Sequence, residues 1–525
     1  MIPRPQHHTI TLGSFDLTKL RFIAVEGGQA FRAGVAPVAA LLCQEAAALG
    51  LTLDVVENDA AADGHVLRLV EDRAQTHVEG YRADVKADGV TLAASGARGI
   101  FQATRTLLVA LGSQGSLPYG SLIDAPRYAW RGVHLDVARH YYPVEFIKRF
   151  IDLLALHKMN VFHWHLTEDQ GWRIQIDAFP KLAELAAFRK HDDERYGGVY
   201  TKDEVREVVR YAAERFVEVV PEIEMPGHAV AALAAYPELS CTGGPFEVET
   251  RWGIFDDVYC VGNDQTLEFL ERVVDEVIEL FPSRYFHIGG DECPKKRWRA
   301  CPKCQARIAS QGLANEEELQ SWFVNKMSRY LEARDKRLVG WDEILEGGLA
   351  PGATVMSWRG TEGGIRAAQM GHDVVMSPTS HCYLDYKQVP EDDEPGAWFA
   401  PALDLETVYG YEPTPSELTP EQAVHVLGVQ ANVWSERMPT GAHVEYMLFP
   451  RLCALSEVAW SGPERDFEDF TQRLSVHEKL LDRYEVGYRG SRSAAPVKPS
   501  AEERAQYQRA QAERAARGTT VAAYS

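Results

Sequence analysis

The stretch RGVHLDVARHYYPVEFIKRFIDLLALHKMNVFHWHLTEDQGWRIQI, residues 131–176, reads as a strand, a helix and a second strand. GVHLDV near 132–137 and NVFHWHL near 160–166 are short apolar runs, and PVEFIKRFIDLLALHKM between them has helical spacing. The same alternation continues to about Trp460. Further strands are expected as FVEVVPEIE near 216–224, YFHIGG near 285–290, RLVGW near 337–341, TVMSW near 354–358, DVVMSP near 373–378 and VLGVQANVW near 426–434. Helices between them include TKDEVREVVRYAAERF, QTLEFLERVVDEVIELF and EEELQSWFVNKMSRYLEARD. Strands separated by helices mark a parallel α/β architecture. Eight of them, with no dinucleotide fingerprint, predict a (β/α)8 TIM barrel rather than a doubly wound sheet.

Ahead of the barrel, residues 1–125 alternate β-rich and helical runs: HVLRLV, YRADVKADGVTLAAS, then the amphipathic ARGIFQATRTLLVALG. This predicts a small α/β domain ended by IDAPRYAWRG. The barrel domain is expected over 126–490, closing with helices in YMLFPRLCALSEVAW and FEDFTQRLSVHEKLLDRY. The tail 491–525 lacks an apolar stripe and is expected as frayed helix or disorder.

With 55 basic against 76 acidic residues the chain carries a net charge of -21, which repels nucleic acid and anionic membrane surfaces. A neutral or basic substrate fits that charge better. The segment MIPRPQHHTITLGSF has no apolar core of signal-peptide length, and no later run approaches a membrane span, so a cytoplasmic enzyme is expected. Eight cysteines are too few for a disulfide scaffold in a chain of 525 residues. Cys293, Cys301 and Cys304 cluster in sequence, but a structural zinc site needs a fourth donor that the local sequence does not supply. They are expected as buried or loop-bracing thiols, with a metal or a disulfide the lesser alternative.

Barrel enzymes build their sites at the carboxyl ends of the strands. Strand one runs into Asp136 and Arg139, strand two into His165, Glu168 and Asp169, strand three into Glu222, Glu224 and His228, and strand four into Asp291 and Glu292. Strands five, six and eight end at Trp341, Trp358 and Trp434, and the loop after strand seven carries Tyr383 and Asp385. A single tryptophan is more often core packing. Three at strand ends, on a rim of acids, describe a sugar site: rings stack on the apolar face of a pyranose while carboxylates hold its hydroxyls.

The sharpest motif is FHIGGDEC, residues 286–293, where two glycines let the backbone bend and present adjacent acids. One of the pair should titrate high, as a general acid near neutral pH requires. A surface Asp-Glu dipeptide is common in an acidic protein, but it would not explain the apolar strand and glycine pair before it.

These segments, together with VVPEIEMPGHAVAALAAYPELSC, HIGGDECPKKRW, VGWDEI, SWRG, YLDY, GVQANVWSE and FPRLCALSEVAW, closely resemble glycoside hydrolase family 20, the β-N-acetylhexosaminidases. EGYRADVKADGVTLAASGARGIFQATRTLL resembles the family's small amino-terminal domain, so the likeness extends to about residue 490. The resemblance implies that Glu292 is the general acid/base and that Asp291 binds and polarises the 2-acetamido group. Retaining glycosidases ordinarily need a second carboxylate about 5 Å from the acid, and family 20 instead uses the substrate's acetamido oxygen as nucleophile.

By the same resemblance Arg139 grips hydroxyls in the innermost subsite, and Trp341, Trp358 and Trp434 wall the pocket. Tyr383 bonds the acetamido oxygen, and Asp385 and Glu436 hold hydroxyls. His228 relays between the general acid and an acid on strand two. Here the chain departs from the common pattern, with Glu168 followed by Asp169 where many relatives have paired aspartates, and Glu168 is ranked first as the partner of His228. His163 and His165 could bind metal by spacing alone, but the resemblance implies no metal and no cofactor, and structural hydrogen bonding is preferred.

The implied activity is exo-acting and retaining, on glycans with a terminal N-acetylhexosamine. A disaccharide specialist resembling lacto-N-biosidase is the alternative enzyme, and an inactive sugar-binding barrel the non-enzymatic one. The expected partner is a small oligosaccharide or glycan, with no nucleic acid and no membrane. Oligomeric state is open, a homodimer included.

Overall fold

The computed structural model describes residues 1–56, 65–191, 194–391, 394–397 and 400–490. The tail 491–525, expected as frayed helix or disorder, lies outside the described residues.

Eight parallel strands close into a barrel in chain order: Trp130–Asp136, Val161–His165, Glu218–Glu222, Tyr285–His287, Arg337–Trp341, Thr354–Ser357, Val374–Met376 and Val426–Ala431, the eighth pairing with the first. Each lies within two or three residues of its expected place. Helices cover the outside and side chains fill the inside, so the strands are buried on both faces. That explains their near-continuous apolar reading. Register aligns the functional rim: Asp136 pairs with His165, and His165 in turn with Glu222, so the carboxyl ends of strands one to three lie level.

Local signals set the helices. Thr201 and Glu204 form a capping box at the start of Lys202–Ala213, and the Asn263 side chain accepts from Gln265 N before Asp264–Ile278. YMLFPRLCALSEVAW divides at Phe449–Pro450 into Gly441–Leu448 and Arg451–Trp460, because a proline cannot continue the first helix's ladder.

The amino-terminal residues form a seven-stranded sheet in the order His7–Asp16, Ser116–Asp124, Tyr81–Lys86, Gly89–Ala94, Val66–Glu71, Phe22–Glu26, Asp54–Val56. Helix Ala97–Ser113 is buried from Gly99 onward, held between this sheet and the closing helix Phe467–Arg483. At Gly112 a Cβ would lie 2.0 Å from Leu480 Cδ1, so glycine sets how closely those helices approach. Buried ion pairs Arg131–Glu79 (2.7 Å) and Lys158–Asp124 (3.0 Å) fasten sheet to barrel. No helix among the described residues is long and apolar enough to cross a membrane.

Candidate active site

The fourth barrel strand hands over to a turn in which Gly289 and Gly290 have φ of +68° and +94°. A Cβ at Gly289 would sit 1.8 Å from Glu224 Oε2, so only glycine lets the turn pass over that carboxylate. Beyond it Glu292 has φ +43°, and facing it His228 has φ +49°. Non-glycine residues held in this left-handed region cost about 1–3 kcal/mol each and persist where the surroundings over-determine them.

His228 stands between two pairs of acids. Its Nε2 lies 3.5 Å from Asp291 and 3.7 Å from Glu292, while its Nδ1 lies 3.0 Å from Glu168 and 3.2 Å from Asp169. Glu168 and Asp169 thus share the histidine, where the sequence ranked Glu168 alone first. Asp169 also accepts from Val230 N at 2.9 Å. Glu168 in turn meets Arg139 Nη2 at 2.7 Å, giving a continuous chain from Arg139 through Glu168 and His228 to the Asp291–Glu292 pair.

Burial opposes the charge on Arg139, Glu168, His228 and Asp291. On His228 the attraction of Glu168 and then Asp291 outweighs it and holds the imidazolium well above the ordinary histidine range. Arg139 and His228 likewise hold the Glu168 carboxyl well below the carboxylate range despite burial. Asp291 goes the other way: burial pushes its carboxyl up, and the cation of His228 offsets this only in part.

The rim acids divide by depth. Glu222 lies inside the barrel, accepting from Trp341 Nε1 at 2.9 Å and making a short bond with His165 Nδ1, with His163 Nε2 at 3.1 Å and His287 Nδ1 at 2.8 Å. This buried layer lies below the site, with His163 and His165 both turned onto Glu222. Asp136 accepts from Ala138 N at 2.8 Å and Ser435 N at 3.0 Å, joining the loops after strands one and eight.

Trp341 is fully buried, its ring 5.7 Å from that of Trp434, which lies under the Arg139 guanidinium at 5.1 Å. Trp358 stacks on Tyr383 at 6.1 Å and 23°, its indole N–H donating to Glu343 Oε2 at 2.9 Å. Backbone bonds from Leu384 N to Asn432 O and from Asn432 N to Cys382 O, both 2.8 Å, hold the Tyr383–Asp385 loop against the eighth strand. Burial drives the Tyr383 phenol well up, and drives Asp385 well up with help from Glu436. Glu436 completes the rim at 4.0 Å from Arg139.

Two acids at this rim had no role in the sequence reading. Glu224 and Glu343 are buried, and burial with neighbouring carboxylates pushes both well above the carboxylate range. Glu343 follows Trp341 by two residues inside VGWDEI, a signal that was available; Glu224 was visible as a strand-end acid, and the close approach of Gly289 is what the structure adds. Cys293, Cys301 and Cys304 are buried free thiols, as expected. Cys301 and Cys304 do find further donors, Cys241 and Cys260, from a loop some forty to sixty residues earlier, while Cys293 is not in that group.

The model of the glycosyl hydrolase family 20 catalytic domain matches residues 128–463, and that of the family's domain 2 matches residues 1–125. The chain belongs to glycosyl hydrolase family 20. Among curated proteins it is 43% identical over 504 residues to a beta-hexosaminidase of Porphyromonas gingivalis, covering 93% of this chain and 64% of that protein. It is 35% identical to a beta-hexosaminidase of Vibrio furnissii, covering 87% and 76%. Among solved structures of the family, the exo beta-N-acetylglucosaminidase of Vibrio harveyi in complex with N-acetylglucosamine superposes with a TM-score of 0.84 at 32% identity, covering 95% of this chain and 78% of that one. This family 20 chain therefore spans less than two thirds of the length of its Porphyromonas relative.

Proposed function

We propose that this chain is an exo-acting, retaining β-N-acetylhexosaminidase that removes terminal N-acetyl-β-glucosamine or N-acetyl-β-galactosamine residues with the help of the substrate's own acetamido group. The observation that carries this reading is the Asp291–Glu292 pair at a strand end, faced at 3.5 and 3.7 Å by a histidine that buried acids hold cationic. The names of the relatives point to the same chemistry.

In this reading Glu292 protonates the glycosidic oxygen as its bond to the anomeric carbon breaks. The acetamido carbonyl oxygen forms a bond to that carbon from the opposite face, giving an oxazolinium ion. Asp291 accepts the amide N–H and stabilises the positive charge that develops there, an arrangement fixed before the reaction and therefore effective in the transition state. Water then attacks the anomeric carbon as its bond to the acetamido oxygen breaks, Glu292 takes the water's proton, and the sugar leaves with its acetamido group restored and its configuration retained. His228 positions both acids, and its charge lets two adjacent carboxylates coexist at one rim.

Arg139 offers five donors in a fixed fork to the sugar's far hydroxyls, with Glu436 and Asp385 accepting from others. Trp358, Trp434 and the buried Trp341 below them shape an apolar pocket for the acetamido methyl and ring face, and Tyr383 donates to the acetamido oxygen. A pocket closed in this way suits a terminal sugar.

Hydrolysis of 4-nitrophenyl N-acetyl-β-glucosaminide is the test, run beside the plain β-glucoside and a disaccharide aryl glycoside, with a thiazoline mimic of the oxazolinium as inhibitor. Cleavage of the acetamido monosaccharide alone, blocked by the thiazoline, is expected. Equal cleavage of glucoside and acetamido substrate would sink substrate assistance, and cleavage of the disaccharide alone would make the enzyme a disaccharide specialist.

A further inference from the structure

The loop after barrel strand three and the segment after the Asp291–Glu292 turn meet at four cysteines. Sγ of Cys260 lies 3.6 Å from that of Cys301 and 3.7 Å from that of Cys304, and Cys241 lies 3.8 Å from Cys304. All four sulfurs are within 4.8 Å of one another, and Cys260, Cys301 and Cys304 are buried. A tetrahedron of sulfurs about a zinc ion at a bond length of about 2.3 Å has edges of about 3.8 Å. We propose that Cys241, Cys260, Cys301 and Cys304 hold a structural zinc ion that clamps the 241–260 loop to the segment following the catalytic acids.

Cys301 caps helix Pro302–Gln311 and Cys304 sits in its first turn, so one helix start supplies two of the four sulfurs. A Cβ at Gly262 would lie 2.4 Å from Cys304 N, so glycine is what lets this turn reach the first turn of the helix. The backbone is fixed independently of the sulfurs: Ser240 bridges Tyr259, Cys260 N bonds Leu239 O at 2.8 Å, and Trp298 Nε1 bonds Tyr259 O at 2.9 Å. A disulfide is the poorer account, because the sulfurs stand 3.6, 3.7 and 3.8 Å apart and all four thiols are free, whereas an S–S bond is about 2.05 Å long.

What the ion would hold is the rim of the sugar site. The loop between Cys241 and Cys260 carries Arg251, whose carbonyl accepts from Gln170 Nε2 at 2.7 Å, and Gln170 Oε1 accepts from Arg139 Nε at 3.2 Å. It also carries Trp252, packed on His140 at 5.6 Å and under the Arg189 guanidinium at 5.0 Å. On the other side, Cys301 follows Glu292 by nine residues. All four ligands being protein sulfurs, the site is closed and structural rather than catalytic.

The test is elemental analysis of the full-length protein, purified under reducing conditions without added chelator, with an organomercurial thiol titration that reports metal release. One zinc per chain, retained through dialysis and released as four thiols react, is expected. Replacement by cobalt should give the thiolate charge-transfer and visible ligand-field bands of a tetrahedral sulfur site. Cys301→Ser, or Cys241→Ser if the first fails to fold, should lose that ion and melt at lower temperature. Wild-type protein with no metal and four freely titrating thiols would overturn the proposal, as would a Cys241, Cys260, Cys301 or Cys304 disulfide found by non-reducing mass spectrometry. These readouts do not depend on the hydrolase activity.

Discussion

The Nδ1 of His228 lies 3.0 Å from Oε2 of Glu168 with both side chains buried, and the two shift each other's titration in opposite directions. The raised value of His228 contributes stability that is fully present below the unfolded histidine value of about 6.5 and is lost as pH rises through the folded one. The depressed value of Glu168 contributes stability present above its unfolded value of about 4.3 and lost as pH falls through the folded one. Glu168→Gln removes the first of the attractions that hold His228 up. In that variant the alkaline limb of the kcat/KM profile should move to lower pH. Its stability deficit against wild type in urea melts should be largest between about pH 4.3 and 6.5. An unmoved alkaline limb would take His228 out of the rate profile.

Glu292→Gln keeps the side chain's shape and removes its proton. Turnover should fall by about 10²–10⁴-fold or more on substrates with a poor leaving group, and much less on 4-nitrophenyl or more activated leaving groups. Thiazoline binding should survive, since it depends on Asp291 and the aromatic pocket. Equal losses across a leaving-group series would remove Glu292 from protonation of the leaving oxygen.

The barrel was legible because its strands are short apolar runs spaced by amphipathic helices, and a strand buried on both faces cannot hide its composition. Asp291 and Glu292 stood out because two glycines precede them. Contacts that depend on tertiary approach did not show. Glu222 looked like a rim acid, as Glu224 did, since spacing along a strand end says nothing about depth in the barrel. Asp169 and Glu168 are neighbours in sequence, and only the hairpin Thr167–Glu168 with Gly171–Trp172 turns both toward His228. The four cysteines come from two segments far apart in sequence, so a local spacing rule could find at most the CPKC half.

Gly289→Ala tests the turn that presents the acids. The substitution meets a positive φ of +68° and puts a methyl group 1.8 Å from Glu224 Oε2. Backbone strain and overpacking each cost about 1–3 kcal/mol at such a site. A clear fall in melting temperature is expected, with loss of activity greater than the unfolded fraction explains, because the strained turn is the one that presents Asp291 and Glu292. Wild-type melting and turnover would show that the turn tolerates a side chain.

Glu79→Ala tests the joint between sheet and barrel. Glu79 takes two bonds from Arg131, 2.7 and 3.1 Å, and one from Gln102 at 3.0 Å, while Arg131 is fully buried at the start of the first barrel strand. Burial works against the Glu79 charge, but Arg131 outweighs it and holds the carboxyl below its usual range. Removing the acid leaves a buried guanidinium with backbone acceptors at Lys158 and Tyr128 but no counter-charge. Breaking one side of a buried pair costs about 3–5 kcal/mol, far more than an exposed pair is worth. The sign of the pH dependence separates this from simple loss of packing. Because the folded Glu79 value is depressed, its contribution exists above the unfolded value of about 4.3 and fades as pH falls, so wild type and variant should converge in acid. A deficit that stays constant from neutral to acid pH would mean that Glu79 holds the joint by shape rather than by charge.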